Sequence, residues 1–509
     1  MLVDTALVAV GAIYFIASLL LFVMGANLCA LALTVWRRRR PGSAGDRRAV
    51  SAMDRSEMPR VTVQLPIYNE LYVAERVIRA ACSLDYPLDR LQIQVLDDST
   101  DETSDVVARV VAEAALEGLD IVHHRRAARN GYKAGALAEG SATATGELIA
   151  IFDADFIPPS DFLLQTVPDF GDPSVAFVQG RWGHVNRDHS LITRLQSLAI
   201  DAHFTVEQTA RRLLGLWFNF NGTAGIWRAS AIADAGGWTA DTLTEDLDLS
   251  YRAHLRGWRG HYRDDVEVPG ELPPQMSSFR RQQHRWARGS LECAIKLLPA
   301  TWRSGAPLKM KLQATAHLAA YAIHLLLFTV ALLYPPMILA GVRFDRLDTL
   351  YGFGYLFGLT SIAPALFFIT GQRQVRGAWA RELPRIVAVS VLGSGLMLNT
   401  VRAATQIVTR RNPEFERTAK FGLEGEGWLD KRYLLRLDRI VYVEAVFGLY
   451  SAMSATLAWQ HGNWPIFVWA CIFAIGLWAV AALTAGQALV INARQGERRP
   501  SVRRTEVGA

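Results

Sequence analysis

Long apolar runs lie at the two ends of the chain, and the region between them has the composition of a water-soluble domain. The first run covers about residues 5–35, which is long enough for a bilayer core of ~30 Å. Further runs follow the central region, at 314–341, 350–370, 384–408, 440–459 and 464–491. The pattern predicts a membrane protein with one sizeable globular domain.

Within the central region, short apolar runs alternate with segments of helical periodicity. The predicted strands cover 61–68, 92–99, 121–125 and 147–155, with helices over 71–84, from about 101 and over 131–144. This alternation indicates a mostly parallel, Rossmann-like α/β sheet. Ligands of such sheets bind beyond the carboxyl ends of the strands. Those ends carry Asp97, Asp98, Asp153 and Asp155.

Charge placement indicates how the chain lies in a membrane. The net charge is +6, and four arginines, 37–40, directly follow the first apolar run. Since the positive charge follows this run, it is not a signal peptide, and the positive-inside bias places the N-terminus outside the cell. The central region is then expected to face the cytoplasm at a plasma or inner membrane. Arginines at span ends are a topology signal, so we expect no nucleic-acid partner.

The segment 384–408 decides the number of spans. If it crossed the membrane, the basic segment 409–439 would lie outside the cell. Asn399, Arg402 and Gln406 recur at helical spacing and predict an amphipathic helix in the interface instead. This predicts five spans and a cytoplasmic C-terminus. The predicted segments are a transmembrane helix (1–40), a linker (41–59), the globular domain (60–275), interface helices (276–310), two spans (311–371), an interface helix with a loop (372–439), two spans (440–491) and a basic tail (492–509).

Two motifs in the central region suit phosphate chemistry. Asp153 and Asp155 close an apolar strand, and two such carboxylates can hold a divalent cation that bridges a diphosphate. Lys133 lies in GYKAG at a loop-to-helix junction, where an ammonium and a helix N-terminus both attract phosphate. Taken singly, the motifs also fit a solvated loop acid and a surface lysine after a turn glycine.

Two further motifs suit transfer to a hydroxyl group. Glu245 and Asp246 precede a helical pattern, where an acid is either a helix cap or a general base. In QQHRW (282–286), Arg285 suits a phosphate and Trp286 offers a face on which a sugar ring can stack. The same stretch also fits an amphipathic basic helix resting on a membrane.

Taken together and in this order, the motifs resemble the processive membrane glycosyltransferases of family two, the cellulose synthase superfamily. Within this superfamily the chain resembles the cellulose-synthase-like A and C proteins of plants, which include β-1,4-mannan synthases. The resemblance is dense over roughly residues 60–300 and rests on LQIQVLDDSTDET, NGYKAGAL, IFDADF, DAHFTVEQ, FNGTAGIWR, TEDLDL and QQHRW.

The resemblance implies a GT-A catalytic domain whose side chains take four roles. Contacts to the nucleotide sugar are implied for Tyr68, Glu70, Asp97, Asp98, Lys133 and Arg285. A Mg²⁺ or Mn²⁺ site is implied at Asp153 and Asp155, and catalysis at Asp246 as the base with Glu245 beside it. Acceptor contacts are implied for Gln282, Trp286, Asn221 and Gly222.

The implied reaction is inverting, processive transfer of a hexose onto a growing β-linked, β-1,4 polysaccharide, coupled to its translocation across the bilayer. The partners would be a nucleotide-diphosphate sugar and a glycan acceptor. GDP-mannose and UDP-glucose both remain open as donors. One alternative is a membrane lipid glycosyltransferase that makes a single transfer, and another is a non-enzymatic transporter or receptor.

The stretch NPEFERTAKFG (412–422) resembles the superfamily's gating loop, FxVTxK, through Phe415, Thr418 and Lys420. Arg417 replaces the usual Val. The resemblance implies a loop that enters the active site over the bound nucleotide, and the alternative is a plain basic loop at the interface. Within the apolar runs, polar residues either line a cavity or join helices by hydrogen bonds. These are His317, His324 and Glu444.

Overall fold

The structure is a computed structural model that describes residues 2–37, 57–343, 362–377, 379–411, 420–422 and 437–497. A sheet of seven strands forms the centre of the globular region. The strands are β1 (Val61–Ile67), β2 (Leu91–Asp97), β3 (Ile121–Arg125), β4 (Leu148–Ile151), β5 (Val175–His184), β6 (Gly225–Arg228) and β7 (Arg259–Gly270). The predicted strands are confirmed as β1 to β4, although β2 and β4 end earlier than predicted.

The strand order is β3-β2-β1-β4-β6-β5-β7. Strands β3, β2, β1 and β4 run parallel, whereas β6 is antiparallel to both of its neighbours and β5 pairs with β7 in parallel. Parallel strands are covered on both faces, and β2 is accordingly buried along its whole length. The mixed α/β fold predicted from the sequence is therefore confirmed.

Helices make up most of the remaining described chain. In order they are α1 (Leu2–Trp36), α2 (Ala74–Cys82), α3 (Thr103–Leu116), α4 (Tyr132–Thr143), α5 (Phe162–Thr166), α6 (Leu191–Ala202), α7 (Thr209–Leu213), α8 (Ala229–Asp234), α9 (Glu245–Leu255), α10 (Met276–Arg303), α11 (Leu308–Leu318), α12 (Ala322–Arg343), α13 (Ala363–Val375), α14 (Leu383–Gly395), α15 (Met397–Val408), α16 (Ile440–Gln460) and α17 (Trp464–Glu497). Two apolar clusters cover the sheet. Consecutive residues of β4 alternate between them, Ala150 in one and Ile151 in the other, because strand side chains point to opposite faces.

In the described part of the chain, five helical stretches are long and apolar enough to cross a membrane. They are Thr5–Trp36, Ala322–Gly341, Trp379–Val408, Ile440–Gln460 and Trp464–Ile491. Four of them overlap predicted spans. The predicted span 350–370 lies largely outside the described residues. The stretch Trp379–Val408 is itself long and apolar enough to cross a membrane. The placement of 384–408 in the plane of the interface therefore stays a prediction.

The polar face predicted in that stretch contacts protein. A break between α14 and α15 divides the stretch, and α15 packs along α10. Asn399 Nδ2 donates to the carbonyl of Arg280 at 2.8 Å, and the guanidinium of Arg288 donates to Gln406 Oε1 at 3.4 Å. The helix that carries QQHRW is thereby fixed to the apolar helices.

The three polar residues predicted within the apolar runs all join helices. Glu444 in α16 accepts a hydrogen bond from Arg280 of α10 at 2.8 Å, and both side chains are almost fully buried. His324 Nδ1 lies 2.9 Å from Thr400 Oγ1. His317 Nδ1 lies 2.7 Å from the hydroxyl oxygen of Tyr251 in α9, and His317 also lines a cavity beside the candidate active site.

Candidate active site

A cavity of about 160 Å³ lies beyond the carboxyl ends of β1, β2 and β4. Loops after these strands, the first turns of α4 and α9, and one face of α10 form its wall. It brings together most of the predicted site residues: Tyr68, Glu70, Asp98, Lys133, Asp153, Asp155, Asn221, Gly222, Glu245, Asp246, Gln282, Arg285, Trp286 and Lys420. Motifs far apart in the sequence therefore face one space.

Each carboxylate of the Asp153–Asp155 pair contacts an ammonium group. Lys133 Nζ lies 2.5 Å from Asp153 Oδ1 and donates to the carbonyl of Gly222 at 2.9 Å. Lys420 Nζ lies 2.5 Å from Asp155 Oδ2. Burial alone would lower the pKa of Lys133, but the carboxylates around it outweigh burial and raise that pKa. Lys133 is therefore an ammonium at neutral pH.

The same pair fits a divalent cation held jointly with a substrate. Carboxylate oxygens suit Mg²⁺ and Mn²⁺, and Mg²⁺ is usually bound by one or two carboxylates together with substrate phosphates. The ammonium groups on Asp153 and Asp155 indicate that both carboxylates favour positive charge beside them. Among the described residues, no group of three or more His, Cys, Asp or Glu could hold a metal ion alone. A bound diphosphate would have to complete the ligand set.

The wall on the side of β2 combines an aromatic ring with buried ion pairs. Arg126 donates to both oxygens of Asp98, with Nε–Oδ1 at 2.8 Å and NH2–Oδ2 at 2.5 Å. The guanidinium of Arg129 lies 3.4 Å from the centroid of the Tyr68 ring. Flat cationic and aromatic groups of this kind can stack on a nucleobase. Sequence reasoning missed both arginines, although the basic run RRAARN begins at the last residue of β3.

Asp97 lies behind this wall and does not line the cavity. Its fully buried carboxylate accepts hydrogen bonds from the backbone N–H of Ser99 at 2.8 Å and from Ser104 Oγ, and it lies 2.9 Å from His123 Nε2. Burial acts to raise its pKa, but these hydrogen bonds prevail and lower the pKa to about 2. The predicted contact of Asp97 to a nucleotide would require this network to open.

Glu245 and Asp246 form the first turn of α9. Burial raises the pKa of Asp246 to about 7; the neighbouring charge of Glu245 adds to this effect and Lys133 opposes it. Such a carboxyl group gives up its proton near neutral pH and can then accept one from a substrate hydroxyl group. Its environment therefore suits a general base better than a simple helix cap.

Gly222 brings the backbone close to the candidate base. Its φ is +81°, and a Cβ at this position would lie 3.0 Å from Asp246 Oδ2 and 3.5 Å from Lys133 Nζ. A side chain would thus meet both an unfavourable backbone conformation and the base itself. In the same turn Ala224 also has a positive φ, +58°, and such strain often lies at functional sites.

Helix α10 carries Gln282, Arg285 and Trp286 along the cavity. The helix approaches the start of α9 closely, because a Cβ on Gly289 would lie 2.5 Å from Thr244 Cγ2. This close packing sets the distance between the QQHRW motif and the acidic pair that begins α9.

The segment 420–422 is held against the cavity by Glu271, which sequence reasoning missed. The backbone N–H groups of Phe421 and Gly422 donate to Glu271 Oε1 at 2.7 and 3.1 Å, and Lys420 Nζ lies 2.5 Å from the Glu271 carbonyl. Phe415 and Thr418, the other predicted members of this loop, lie outside the described residues. The arrangement places Lys420 beside Asp155, and its role in a gating loop stays a prediction.

Comparison with known proteins finds similarity to glycosyltransferases. The profile of the family described as glycosyltransferase like family 2 matches residues 59–289. Glucomannan 4-beta-mannosyltransferase 9 of Arabidopsis thaliana is 48% identical over 239 residues, which are 46% of this chain and 45% of that protein. Glucomannan 4-beta-mannosyltransferase 1 of Oryza sativa subsp. japonica is 47% identical over 248 residues, 48% of each chain.

The chain thus spans about half the length of the curated relatives it matches. Among solved structures, mannosyltransferase PcManGT from Pyrobaculum calidifontis, in complex with GDP-Man and Mn2+, superposes with a TM-score of 0.49 at 21% identity. That superposition covers 81% of this chain and all of the other. The profile match thus makes residues 59–289 similar to glycosyltransferase like family 2, and the plant proteins are similar to about half of this chain.

Proposed function

We propose that this protein transfers a hexose from a nucleotide-diphosphate sugar onto a growing β-linked glycan, with inversion at the anomeric carbon. The observation that carries the proposal is one shared cavity, in which the buried Asp246 faces the same space as the Asp153–Asp155 pair with its two lysines. A base and a diphosphate site on one cavity are the two requirements of such a transfer. The names of the plant relatives support a hexosyl donor such as GDP-mannose, with UDP-glucose as the second candidate.

In this proposal the base acts on the acceptor. Asp246 in its ionised form takes the proton from the acceptor hydroxyl group as the hydroxyl oxygen attacks the anomeric carbon of the donor. The donor's bond to diphosphate breaks, and a β-linkage replaces the α-linkage. No covalent enzyme intermediate is needed, because a single displacement gives inversion.

The other side chains bind and orient the donor. Lys133 and Arg285 would neutralise the diphosphate, and Tyr68 with Arg129 would hold the nucleobase. Asp153 and Asp155 would hold Mg²⁺ or Mn²⁺, which supplies Lewis-acid stabilisation of the departing diphosphate when bound. Lys420 then loses its carboxylate partner and is free to contact phosphate, the role proposed for the gating loop.

We further propose that the product leaves through the membrane part of the same chain. Helix α10 supports this proposal, because it lines the cavity and is joined to α16 by the buried Arg280–Glu444 pair. Processive growth would keep the chain end at Trp286, which offers a stacking face for a sugar. The catalytic domain then faces the cytoplasm and the N-terminus lies outside.

The test is a donor screen with the full-length protein in lipid nanodiscs. Release of GDP or UDP is measured for a panel of nucleotide sugars with Mg²⁺ or Mn²⁺, and the radiolabelled product is digested with β-mannanase or β-glucanase. We expect one donor to give a polymer that one of these enzymes degrades. A product that extracts into organic solvent with one sugar per lipid would contradict the proposal and identify a lipid glycosyltransferase.

A further inference from the structure

A second cavity, of about 330 Å³, extends from the first toward α11 and the start of α12. The two cavities share Asp246, Asn221 and Trp286 in their walls. Beyond these, the second cavity is lined by polar side chains that the proposed transfer does not use: His203, Glu207, Gln283, His317 and Tyr321. A space that continues from the candidate base is placed to hold the part of an acceptor that precedes its reacting unit.

A π-helical turn (His203–Gln208) between α6 and α7 directs two of these side chains inward. Such turns insert one extra residue into a helix and are frequent at functional sites. The outer side of the turn packs against α1, where Val206 joins the cluster of Ala32 and Val35. On the inner side, the side chains of His203 and Glu207 keep 30% and 19% of their surface exposed.

A chain of hydrogen bonds determines which atoms of this wall are donors and which are acceptors. Gln208 Nε2 donates to Asn221 Oδ1 at 2.7 Å, so the Asn221 amide nitrogen is the donor to His203 Nε2, 3.0 Å away. The proton of His203 is then on Nδ1, which donates to Glu207 Oε2 at 3.0 Å. Arg211 donates to the other Glu207 oxygen at 3.1 Å. Asn221, which was predicted to contact the acceptor, is thus linked to Glu207 by hydrogen bonds through His203.

The wall offers one ionised hydrogen-bond acceptor, Glu207, and two polar atoms that have no hydrogen-bond partner in the described part of the chain. Burial would raise the pKa of Glu207, but Arg211 and the two histidines outweigh burial and hold that pKa well below its usual range. Gln282 Oε1 and Trp182 Nε1 belong to residues that line both cavities, and these atoms are buried and have no hydrogen-bond partner among the described residues. Buried polar atoms are normally paired, and hydroxyl groups of a ligand are one source of the missing partners.

We propose that the second cavity binds the sugar unit that precedes the reacting end of the acceptor, with Glu207 accepting hydrogen bonds from its hydroxyl groups. The inference rests on the proposed glycosyl transfer and names its acceptor class, a chain of at least two sugars. Hydroxyl groups bound to an ionised carboxylate make strong hydrogen bonds, whereas a lipid tail would leave Glu207 against hydrocarbon at a high cost. Trp286 supplies an aromatic face for the ring, and the hydroxyl group of Tyr321, which donates to Gln283 Oε1 at 3.3 Å, is a further polar group of this wall.

The test compares acceptors of different length. The full-length protein in nanodiscs receives GDP-mannose with mannose, mannobiose or mannotriose, or UDP-glucose with glucose, cellobiose or cellotriose if UDP-glucose is its donor. We expect Glu207→Gln to raise KM for the disaccharide and trisaccharide about tenfold, the effect of losing one charge-assisted hydrogen bond. The KM for the monosaccharide and the release of nucleotide without acceptor should stay unchanged.

Three variants control this experiment. Glu207→Asp keeps the charge and should recover part of the affinity for the disaccharide. Glu139→Gln, on the exposed side of α4, removes a carboxylate elsewhere and should change neither KM. Tyr321→Phe leaves the Glu207–Arg211 pair intact and carries the test if Glu207→Gln does not fold. We expect it to raise the disaccharide KM about threefold, as loss of a neutral hydrogen bond does.

Several outcomes would overturn the inference. Equal losses for monosaccharide and disaccharide would make Glu207 a structural residue, and an unchanged disaccharide KM would leave the cavity without this role. Transfer to a lipid with normal kinetics in Glu207→Gln would assign the cavity to a lipid acceptor. If the wild-type protein releases nucleotide from no donor, the proposed glycosyl transfer itself fails, and this result is seen before any variant is compared.

Discussion

Two acidic pairs face the candidate active site, and their surroundings differ. Each carboxylate of Asp153 and Asp155 lies 2.5 Å from an ammonium group, that of Lys133 for Asp153 and that of Lys420 for Asp155. The same Lys133 also lies near the second pair, at the longer distance of 3.8 Å from Glu245. The first pair is therefore the better matched in charge, whereas the second pair keeps an excess of negative charge.

This difference assigns a role to each pair. A carboxylate that already holds a cation is suited to hold another one in its place, so Asp153 and Asp155 fit a metal and diphosphate site. A buried carboxyl group beside a like charge keeps its proton until near pH 7, as Asp246 does, and so suits proton transfer. Residue type alone does not separate these roles, since both pairs contain the same chemical groups.

The largest loss of turnover is expected on changing the candidate base, Asp246. We expect Asp246→Asn to reduce turnover about 10²–10⁴-fold, the usual contribution of a positioned base, with little change in donor affinity. Turnover is measured as nucleotide release with acceptor present, and donor affinity by calorimetry. Asp161→Asn, at an exposed position before α5, is the matched control. Retained turnover in Asp246→Asn would place the base elsewhere.

Sequence patterns predicted the first half of the sheet well. The strands β1 to β4 are apolar runs separated by helical segments, a local pattern that can be read without the fold. Strand β6 spans only Gly225–Arg228 and runs antiparallel between β4 and β5. So short a strand carries almost no periodic signal, and its existence depends on neighbours that are distant in the sequence.

Within the site, the sequence indicated which residues could take part but not what would surround each of them. Asp97 and Asp98 are adjacent and look equivalent, yet one is enclosed by Ser104 and His123 while the other lines the cavity. Consecutive residues at a strand end point to opposite sides, and only the fold shows which side is the cavity. The contact of Lys420 with Asp155 joins residues 265 positions apart, so no local pattern predicts it.

The second-largest effect is expected at the Asp153–Asp155 pair, whose carboxylates each contact an ammonium group. We expect Asp153→Asn to weaken donor binding by more than about tenfold in the presence of Mn²⁺, since even the outer partners of metal ligands matter by 10–100-fold. Donor binding and Mn²⁺ binding are both measured by calorimetry. Donor affinity that is unchanged and independent of metal in this variant would remove the assigned metal site and leave Lys133 as the main diphosphate ligand.

A smaller effect is expected at Lys420. This residue pairs with Asp155 in the present structure and is proposed to contact phosphate once a donor is bound. We expect Lys420→Ala to raise the donor KM about tenfold, because a hydrogen bond to a charged group is lost, while the unfolding temperature stays close to that of the wild type. Lys309→Ala, on the exposed start of α11, is the matched control. An unchanged donor KM would favour a plain basic loop.

The smallest effect, and the most specific one, concerns Glu245. Burial is the main cause of the raised pKa of Asp246, and the charge of Glu245 is the second. Removing that charge in Glu245→Gln should lower the pKa of Asp246. Because the base works in its ionised form, kcat/KM falls as pH drops through this pKa, and the fall should begin at lower pH in the variant.

The measurement is kcat/KM from pH 5 to pH 9 for the wild type, Glu245→Gln and Glu245→Asp. The wild type should lose activity below about pH 7, and Glu245→Asp, which keeps the charge, should follow it closely. Only Glu245→Gln should retain activity further into the acid range. If its profile coincides with that of the wild type, the excess negative charge of the second pair does not control the base. Burial alone would then account for the raised pKa of Asp246.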